Sequence, residues 1–128
     1  MFQDSTAFSG FAVDDLAAAK RFYGETLGFE VREDTSMDLL DITLPGGTRV
    51  MVYPKPDFVP ATYTILNFPV RDVDATVDEL TAKGVEMARF DGFEQDAKGI
   101  ARDDRGPTIS WFRDPAGNIL SVLSELPA

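Results

Sequence analysis

The side chains that most often do chemistry in proteins at neutral pH are missing from this chain. It contains neither histidine nor cysteine, so imidazole proton transfer, thiolate nucleophiles and metal sites with imidazole or thiolate ligands are excluded within the chain. Carboxylates are the remaining side chains for acid-base chemistry, and Asp41 is the candidate among them. Such a role needs a raised pKa, which burial of the Asp41 carboxyl group among Phe and Trp could provide.

A second group of carboxylates, Asp96, Asp103 and Asp104, lies in the polar, glycine-containing stretch 90–107. Such oxygens could hold calcium or manganese, although acidic side chains in loops are more often simply solvated. The pattern predicts a long loop or an irregular edge strand. Such a loop either covers a ligand or is a solvated connection.

The composition is that of one soluble domain. The chain has 128 residues and a formal net charge of −10, which argues against a nucleic acid or an anionic membrane as partner. A neutral or cationic small molecule is easier to accommodate. No stretch approaches the roughly 20 apolar residues of a membrane span, and the N-terminal residues lack the pattern of a signal peptide. We therefore expect a cytoplasmic protein.

A βαβββ pattern describes the first half of the chain. A buried strand is predicted from Phe8 to Val13, and Asp14-Asp15 then cap a helix whose sequence is LAAAKRFYGETLG. The remaining predicted elements are an extended segment at Phe29–Val31 and strands near Met37–Leu44 and Thr48–Tyr53, joined by the turn Pro45-Gly46-Gly47.

The second half repeats this plan after a proline-rich segment, which predicts a first module over 7–53, a linker over 54–61 and a second module over 62–126. Its predicted elements are a strand at Thr62–Val70, a helix capped by Asp72 and lined by Val73, Val77 and Leu80, a stop at Gly84 and an extended Val85–Met87. The turn LPGG at 44–47 matches DPAG at 114–117. This self-similarity predicts a duplicated fold.

Two segments resemble the vicinal-oxygen-chelate superfamily of glyoxalases, bleomycin resistance proteins and dioxygenases. They are the tail WFRDPAGNILSVLSE and the opening VDDLAAAKRFYGETLGFEV. The resemblance implies an α+β fold in which two tandem βαβββ modules form a curled mixed or antiparallel sheet around a cleft, commonly in a homodimer. Within the tail, we expect Asp114 and Asn118 to build a tight turn and not to act as catalysts.

The enzymes of this superfamily hold a divalent metal in the cleft, with His and Glu ligands from four inward positions. By resemblance, those positions fall on Phe8 and Ile65 in the first strands of the two halves, and on Met51 and Ser121 in the last strands. None of these side chains is a credible ligand for a hard divalent cation. We therefore expect no metal, no other cofactor, and no metal-dependent glyoxalase or dioxygenase activity.

The cleft itself is the remaining candidate site. If the four positions point inward, strand alternation predicts a mostly apolar lining with few polar groups. The ligand-pocket candidates are Phe8, Asp41, Arg49, Met51, Tyr53, Ile65, Asn67, Trp111 and Ser121. Trp111 could be a platform for a ligand or an ordinary core residue, and Phe8, Met51 and Ile65 could line the pocket or fill it.

The sequence favours a metal-independent small-molecule-binding protein, in the manner of the drug-binding members that it resembles. The ligand would be apolar, aromatic or cationic, and its identity is left open. Two alternatives are a cofactor-free enzyme of the lyase or isomerase type, which uses Asp41 in the same cleft, and a ligand-free accessory module. Whether the modules pair within one chain or across a dimer is also left open.

Overall fold

The computed structural model describes residues 1–125. Its elements are β1 (Ser9–Val13), α1 (Leu16–Arg21), a π-helical turn (Phe22–Thr26), β2 (Glu30–Asp34), β3 (Leu39–Thr43), β4 (Arg49–Pro54), β5 (Thr64–Val70), α2 (Val73–Ala82), β6 (Met87–Ala88), β7 (Ile109–Arg113) and β8 (Ile119–Ser124). The chain divides into two compact units, Met1–Val59 and Pro60–Ala128. The last residue of the predicted second module, 126, lies outside the described residues.

The first unit forms a four-stranded sheet in the order β1-β4-β3-β2. β1 is parallel to β4, and the other neighbours are antiparallel. The first strand of the half is therefore hydrogen-bonded to the last strand of the same half. This pairing places Gly10 opposite Met51 and Ala12 opposite Tyr53.

The second unit repeats this topology with the order β5-β8-β7-β6. β5 is parallel to β8, and the other pairs are antiparallel. The predicted α+β fold of two βαβββ modules is therefore confirmed, with one mixed sheet in each module. The copies differ at Ile65, where the pairing of β5 with β8 shifts register between Thr64 and Leu66. The two edge strands also differ, since β6 has 2 residues where β2 has 5.

Both helices begin at aspartates whose side chains cap the backbone. Asp15 accepts a hydrogen bond from the backbone N–H of Ala18 at 3.1 Å, and Asp72 accepts one from Ala75 at 3.0 Å. Such caps satisfy backbone donors that the first helical turn leaves unpaired. None of the helices within residues 1–125 is long and apolar enough to cross a membrane.

The first helix differs from the predicted continuous α-helix because its second part is a π-helical turn. The backbone N–H of Leu27 donates to the carbonyl of Phe22 at 2.9 Å, which is the wider spacing of a π-turn. Tyr23 lies in this turn and is fully buried, with its ring centroid 5.7 Å from that of Phe11 and 5.2 Å from that of Phe22. The turn thus coincides with an aromatic cluster between the helix and β1.

One face of each sheet packs beneath the helix of its own unit. In the first sheet, the fully buried side chains of Leu40, Ile42, Val50 and Val52 alternate along β3 and β4 with more exposed neighbours. Alternating residues of a strand point to opposite faces. We call the face that points away from the unit's own helix the far face of that sheet.

The turn between β7 and β8 is held by two buried polar side chains. The Asp114 carboxylate accepts hydrogen bonds from the backbone N–H of Asn118 at 2.8 Å and from its side-chain amide at 3.2 Å. The Asn118 side-chain oxygen accepts the N–H of Ala61 at 3.3 Å, and Gly117 has a φ of 97°. These contacts give both residues the structural role expected for them.

Replacing the aspartate of this turn should cost stability. We predict that Asp114→Ala lowers the free energy of unfolding by about 2 kcal/mol, because buried donors lose a charged acceptor. Denaturant unfolding followed by circular dichroism measures the change. The exposed Asp4 supplies the matched control, since Asp4→Ala should stay within about 0.5 kcal/mol of the parent protein. An Asp114→Ala protein of unchanged stability would contradict the assignment.

Candidate functional site

The far face of the first sheet collects five of the predicted pocket residues. Arg49, Met51 and Tyr53 alternate along β4 with the buried valines, Asp41 lies opposite Met51, and Phe8 precedes β1. Tyr53 is 38% exposed and Phe8 is 56% exposed, while Met51 is half-buried. The strand predicted from Phe8 begins only at Ser9, so the expectation that Phe8 lies in a buried strand is wrong. Met51 and Ile65 do not enter the fully buried core either.

An ion pair occupies the centre of this far face. Arg49 donates to both carboxylate oxygens of Asp41, at 2.7 and 3.2 Å, and Arg32 donates from a neighbouring strand at 3.3 Å. The guanidinium carbon of Arg49 lies 5.6 Å from the centre of the Phe8 ring, within range of a cation–π contact. The two arginines thus neutralise the carboxylate, whose side chain is 16% exposed.

These contacts reverse the expectation for Asp41. The hydrogen bond from the Arg49 side chain, which outweighs desolvation, holds the pKa of the Asp41 carboxyl below its usual value of 3.8. A general acid or base at neutral pH needs a raised pKa, so the shift at Asp41 is opposite to the one that this role requires. Two arginines on adjacent strands, which no local pattern indicates, cause it.

The Asp41 ion pair makes stability depend on pH in a defined direction. Because the pKa is lower in the folded chain, its contribution is complete above the unfolded value near 4 and is lost as the pH falls through the lower folded value. We predict that Asp41→Asn reduces the free energy of unfolding by less than about 1 kcal/mol at pH 7. Denaturant unfolding between pH 3 and 7 should show that this difference shrinks toward the acidic end. A difference that grows on acidification would contradict the assignment.

Three other predicted residues form one row across the far face of the second sheet. Trp111 on β7 is opposite Ser121 on β8, which is opposite Asn67 on β5. Ala88 on β6 extends the row beyond Trp111. The remaining candidate, Ile65, lies at the register shift, where the alternation used to place it inward is broken. The structure therefore brings Asn67, Trp111 and Ser121 together and leaves Ile65 outside the row.

The polar end of this row is a hydrogen-bonded pair. The Ser121 hydroxyl is fully buried and donates to the side-chain oxygen of Asn67 at 2.6 Å. Asn67 itself is exposed. Its amide NH₂ group donates to no other residue within 1–125, so two hydrogen-bond donors are available on the surface of the far face.

The aromatic end of the row is covered by two phenylalanines. Trp111 is only 8% exposed. Its ring centroid lies 5.6 Å from that of Phe90, edge to face, and 4.8 Å from that of Phe93, tilted by 56°. The guanidinium carbon of Arg113 lies over the Phe90 ring, 5.1 Å from its centroid. Trp111 is therefore packed in an aromatic cluster and is not open to solvent as a bare platform.

The loop 90–107 supplies this cover and is more ordered than a solvated connection. Ala101 pairs with Ile109 and with Gln95 in isolated bridges, so the loop continues the edge of the sheet beyond β6. Ile100 and Ala101 are buried. A hydrophobic cluster of Ala88, Ala101, Trp111 and Ile119, with Phe90 and Ile109 packed against it, shows that Phe90 and Ala101 of the loop pack on the far face.

Gln95, Phe90 and Phe93 were not predicted as site residues. The Gln95 side chain accepts the backbone N–H of Phe90 at 2.9 Å and donates to the carbonyls of Ala88 and Gly99 at 2.9 and 2.8 Å. Two phenylalanines three residues apart in an otherwise polar loop were the sequence signal for the cover. No comparable signal marks Gln95, since its role depends on three backbone groups brought together by the fold.

The loop carboxylates do not form a cation site. Asp96 accepts the backbone N–H groups of Lys98 and Ile100 at 2.9 Å, as well as the Arg102 side chain at 3.3 Å. Its hydrogen bond from Ile100 contributes most to holding the pKa of its carboxyl below the usual value. Asp103 accepts the N–H of Arg105 at 2.9 Å. Throughout residues 1–125, no three His, Cys, Asp or Glu residues are grouped so as to hold a metal.

A sequence model of the Glyoxalase/Bleomycin resistance protein/Dioxygenase superfamily matches residues 4–122. The chain belongs to this superfamily. A search of curated proteins found no match. A solved member of the superfamily from Sphaerobacter thermophilus DSM 20745 is 26% identical, with a TM-score of 0.71 over 94% of this chain and 98% of its own.

Two more distant solved structures share the fold. A lactoylglutathione lyase from Agrobacterium tumefaciens is 20% identical, with a TM-score of 0.67 over 94% of this chain and 93% of its own. An antibiotic-binding protein from Streptomyces sp. CB03234 is 24% identical, with a TM-score of 0.66 over 94% of this chain and 97% of its own. The same fold thus occurs in a protein named as an enzyme and in one named as a binding protein.

The residues present do not fit the divalent metal of the superfamily's enzymes. Of the four positions expected to hold it, three carry Phe8, Met51 and Ile65, which offer no oxygen or nitrogen ligand in their side chains. The fourth carries Ser121, whose hydroxyl is hydrogen-bonded to Asn67. This donor set lacks the carboxylate and imidazole ligands expected at these positions.

Proposed function

We propose that this superfamily member binds a small organic molecule without a metal ion, on the far face of its second sheet. The observation that carries the proposal is the row from Trp111 through Ser121 to Asn67. It combines a large aromatic surface with a few fixed polar groups, the usual make-up of small-molecule sites. The antibiotic-binding structure from Streptomyces supports the proposal by showing that this fold is found in a binding protein.

The pocket candidates of the first sheet are less suited to an apolar or aromatic ligand. Their centre is the pair of Asp41 with Arg49, in which both charged groups already have partners. A ligand there would have to displace a charged hydrogen bond, which costs more than displacing a neutral one. The second sheet is therefore the better site for an apolar or aromatic ligand.

An enzyme that uses Asp41 is the weaker alternative, because the pKa of its carboxyl is shifted away from neutral pH. A ligand-free accessory module has one observation in its favour, the cover of Phe90 and Phe93 over Trp111. That cover could fill the site permanently. The binding protein and the accessory module differ in whether any small molecule stabilises the folded protein.

A thermal-shift screen, with the divalent ions tested without chelator and the organic compounds tested with chelator present, separates these functions. We predict that magnesium, calcium, manganese and zinc leave the melting temperature unchanged, whereas some members of a panel of aromatic and cationic compounds raise it. At a hundredfold excess over the dissociation constant, a ligand stabilises the folded state by about 2.7 kcal/mol. A broad panel without any hit would favour the accessory module, and a shift with one metal alone would contradict the metal-independent site.

We further propose that the protein is a cytoplasmic homodimer, as the resemblance to the superfamily implies. Size-exclusion chromatography with light scattering should give twice the mass of the chain at micromolar concentration. A mass equal to that of one chain would contradict the dimer. The ligand site proposed above uses residues of one sheet only, so it does not depend on this outcome.

A further inference from the structure

Residues 96–102 of the loop connect the two sides of the second sheet, and we call them the bridging segment. Ala101 lies in the hydrophobic cluster of the far face. The next residue, Arg102, donates a hydrogen bond to the carboxylate of Asp74 on α2 at 2.6 Å. Since neighbouring residues of an extended chain point to opposite sides, the segment contacts the far face with one side and the helix with the other.

Two cations of the bridging segment pair with two aspartates of α2. Arg102 lies 2.6 Å from an oxygen of Asp74. The Nζ of Lys98 lies 2.8 and 3.0 Å from the two carboxylate oxygens of Asp78, and 3.9 Å from Asp74. Asp96, within the segment itself, accepts a further hydrogen bond from Arg102 at 3.3 Å. The five charged side chains therefore form one connected network and not a set of separate pairs.

The two helix aspartates depend on these cations. Asp74 and Asp78 are four residues apart on α2, so they are neighbours on one side of the helix, where like charges destabilise it. The hydrogen bond from Arg102 nevertheless holds the pKa of the Asp74 carboxyl below its usual value, whereas nearby carboxylates alone would raise it. The cations of the bridging segment thus outweigh the repulsion between the aspartates.

The backbone pairing of the bridging segment with the sheet is short. The N–H of Ala101 donates to the carbonyl of Ile109 at 2.8 Å, and the N–H of Ile109 donates to the carbonyl of Ala101 at 3.0 Å. This is an isolated bridge, whereas β7 and β8 pair over the whole length of β7. Local opening is easiest where backbone pairing is short, so the ionic network supports a weak point of the sheet edge.

We infer that the bridging segment is a latch that opens locally, and that its ionic network with α2 sets how often it opens. Opening would remove Ala101 from the cluster on the far face. Ionic strength would then control how well this face is covered, because salt shortens the range of charge interactions from about 30 Å at 0.01 M to about 3 Å at 1 M. This inference goes beyond the proposed function and needs no ligand.

Hydrogen exchange measured by NMR tests the latch on the whole chain. The backbone N–H groups of Ala101 and Ile109 donate across the bridge, so their exchange rates report on its opening. We expect both rates to rise about three- to tenfold between about 0.01 M and about 1 M sodium chloride, relative to the amides of β8, because the screened network holds the segment less often.

Two substitutions break the network from its two sides. Asp74→Asn and Arg102→Gln should each speed the exchange of Ala101 and Ile109 at low salt by about three- to tenfold and remove most of the salt response. The double variant should exchange about as fast as either single variant, because both changes remove one shared interaction.

The matched control is an ion pair at the other end of the same helix. Glu79 pairs with Lys83 at 3.7 Å, so Glu79→Gln removes an exposed carboxylate of α2 without touching the bridging segment's own pairs. Its exchange rates at Ala101 and Ile109 should stay within about twofold of the parent protein. Circular dichroism first establishes that each variant is folded.

The latch is overturned by any of three results. The first is exchange at Ala101 and Ile109 that does not respond to salt in the parent protein. The second is an equal rise in the β8 amides, which would mean that salt acts on the whole domain. The third is a Glu79→Gln protein that exchanges as fast as Asp74→Asn. None of these results bears on ligand binding, so the proposed function stands or fails separately in its thermal-shift screen.

Discussion

Each half of this protein has a single helix for a four-stranded sheet, so that helix can cover only one of the two sheet faces. The residues beneath the helix alternate with residues on the far face. The far face must therefore be covered by other parts of the protein or be exposed to solvent. Parallel pairing of the first and last strands then places the candidate residues of both strands side by side. The location of any site in either unit follows from this constraint.

The two halves meet this requirement in different ways. The far face of the first sheet is partly exposed and carries a central ion pair of Asp41 with Arg49. In the second sheet, Phe90 and Ala101 of the loop pack on the far face, and the residues of β8 from Ile119 to Leu123 are buried. The short β6 permits this difference, because the loop that follows it places Phe90 against Trp111 and then pairs with the sheet edge through Ala101 and Ile109. One far face thus carries an ion pair and the other an aromatic cluster.

Local sequence patterns predicted much of the fold because helix caps and tight turns are formed by residues close together in the sequence. The caps at Asp15 and Asp72 and the turn from Asp114 to Asn118 depend on residues within a few positions of each other. Alternation placed Asn67 in the row, whereas the resemblance to the superfamily placed Ser121. Alternation failed at Ile65, where a register shift has no sequence signal, and the pairing of Asp41 with Arg49 on another strand had no local signal either. The anchoring role of Gln95 likewise depends on groups brought together only by the folded chain.

We propose that an aromatic and amide surface stands in place of the superfamily's metal site. Elemental analysis of the folded protein, purified without chelator and dialysed against each divalent ion, measures whether a metal is held. We expect metal far below one ion per chain after every dialysis, with unchanged circular dichroism. One tightly held ion per chain that survives gel filtration would contradict it and would require ligands other than Phe8, Met51, Ile65 and Ser121.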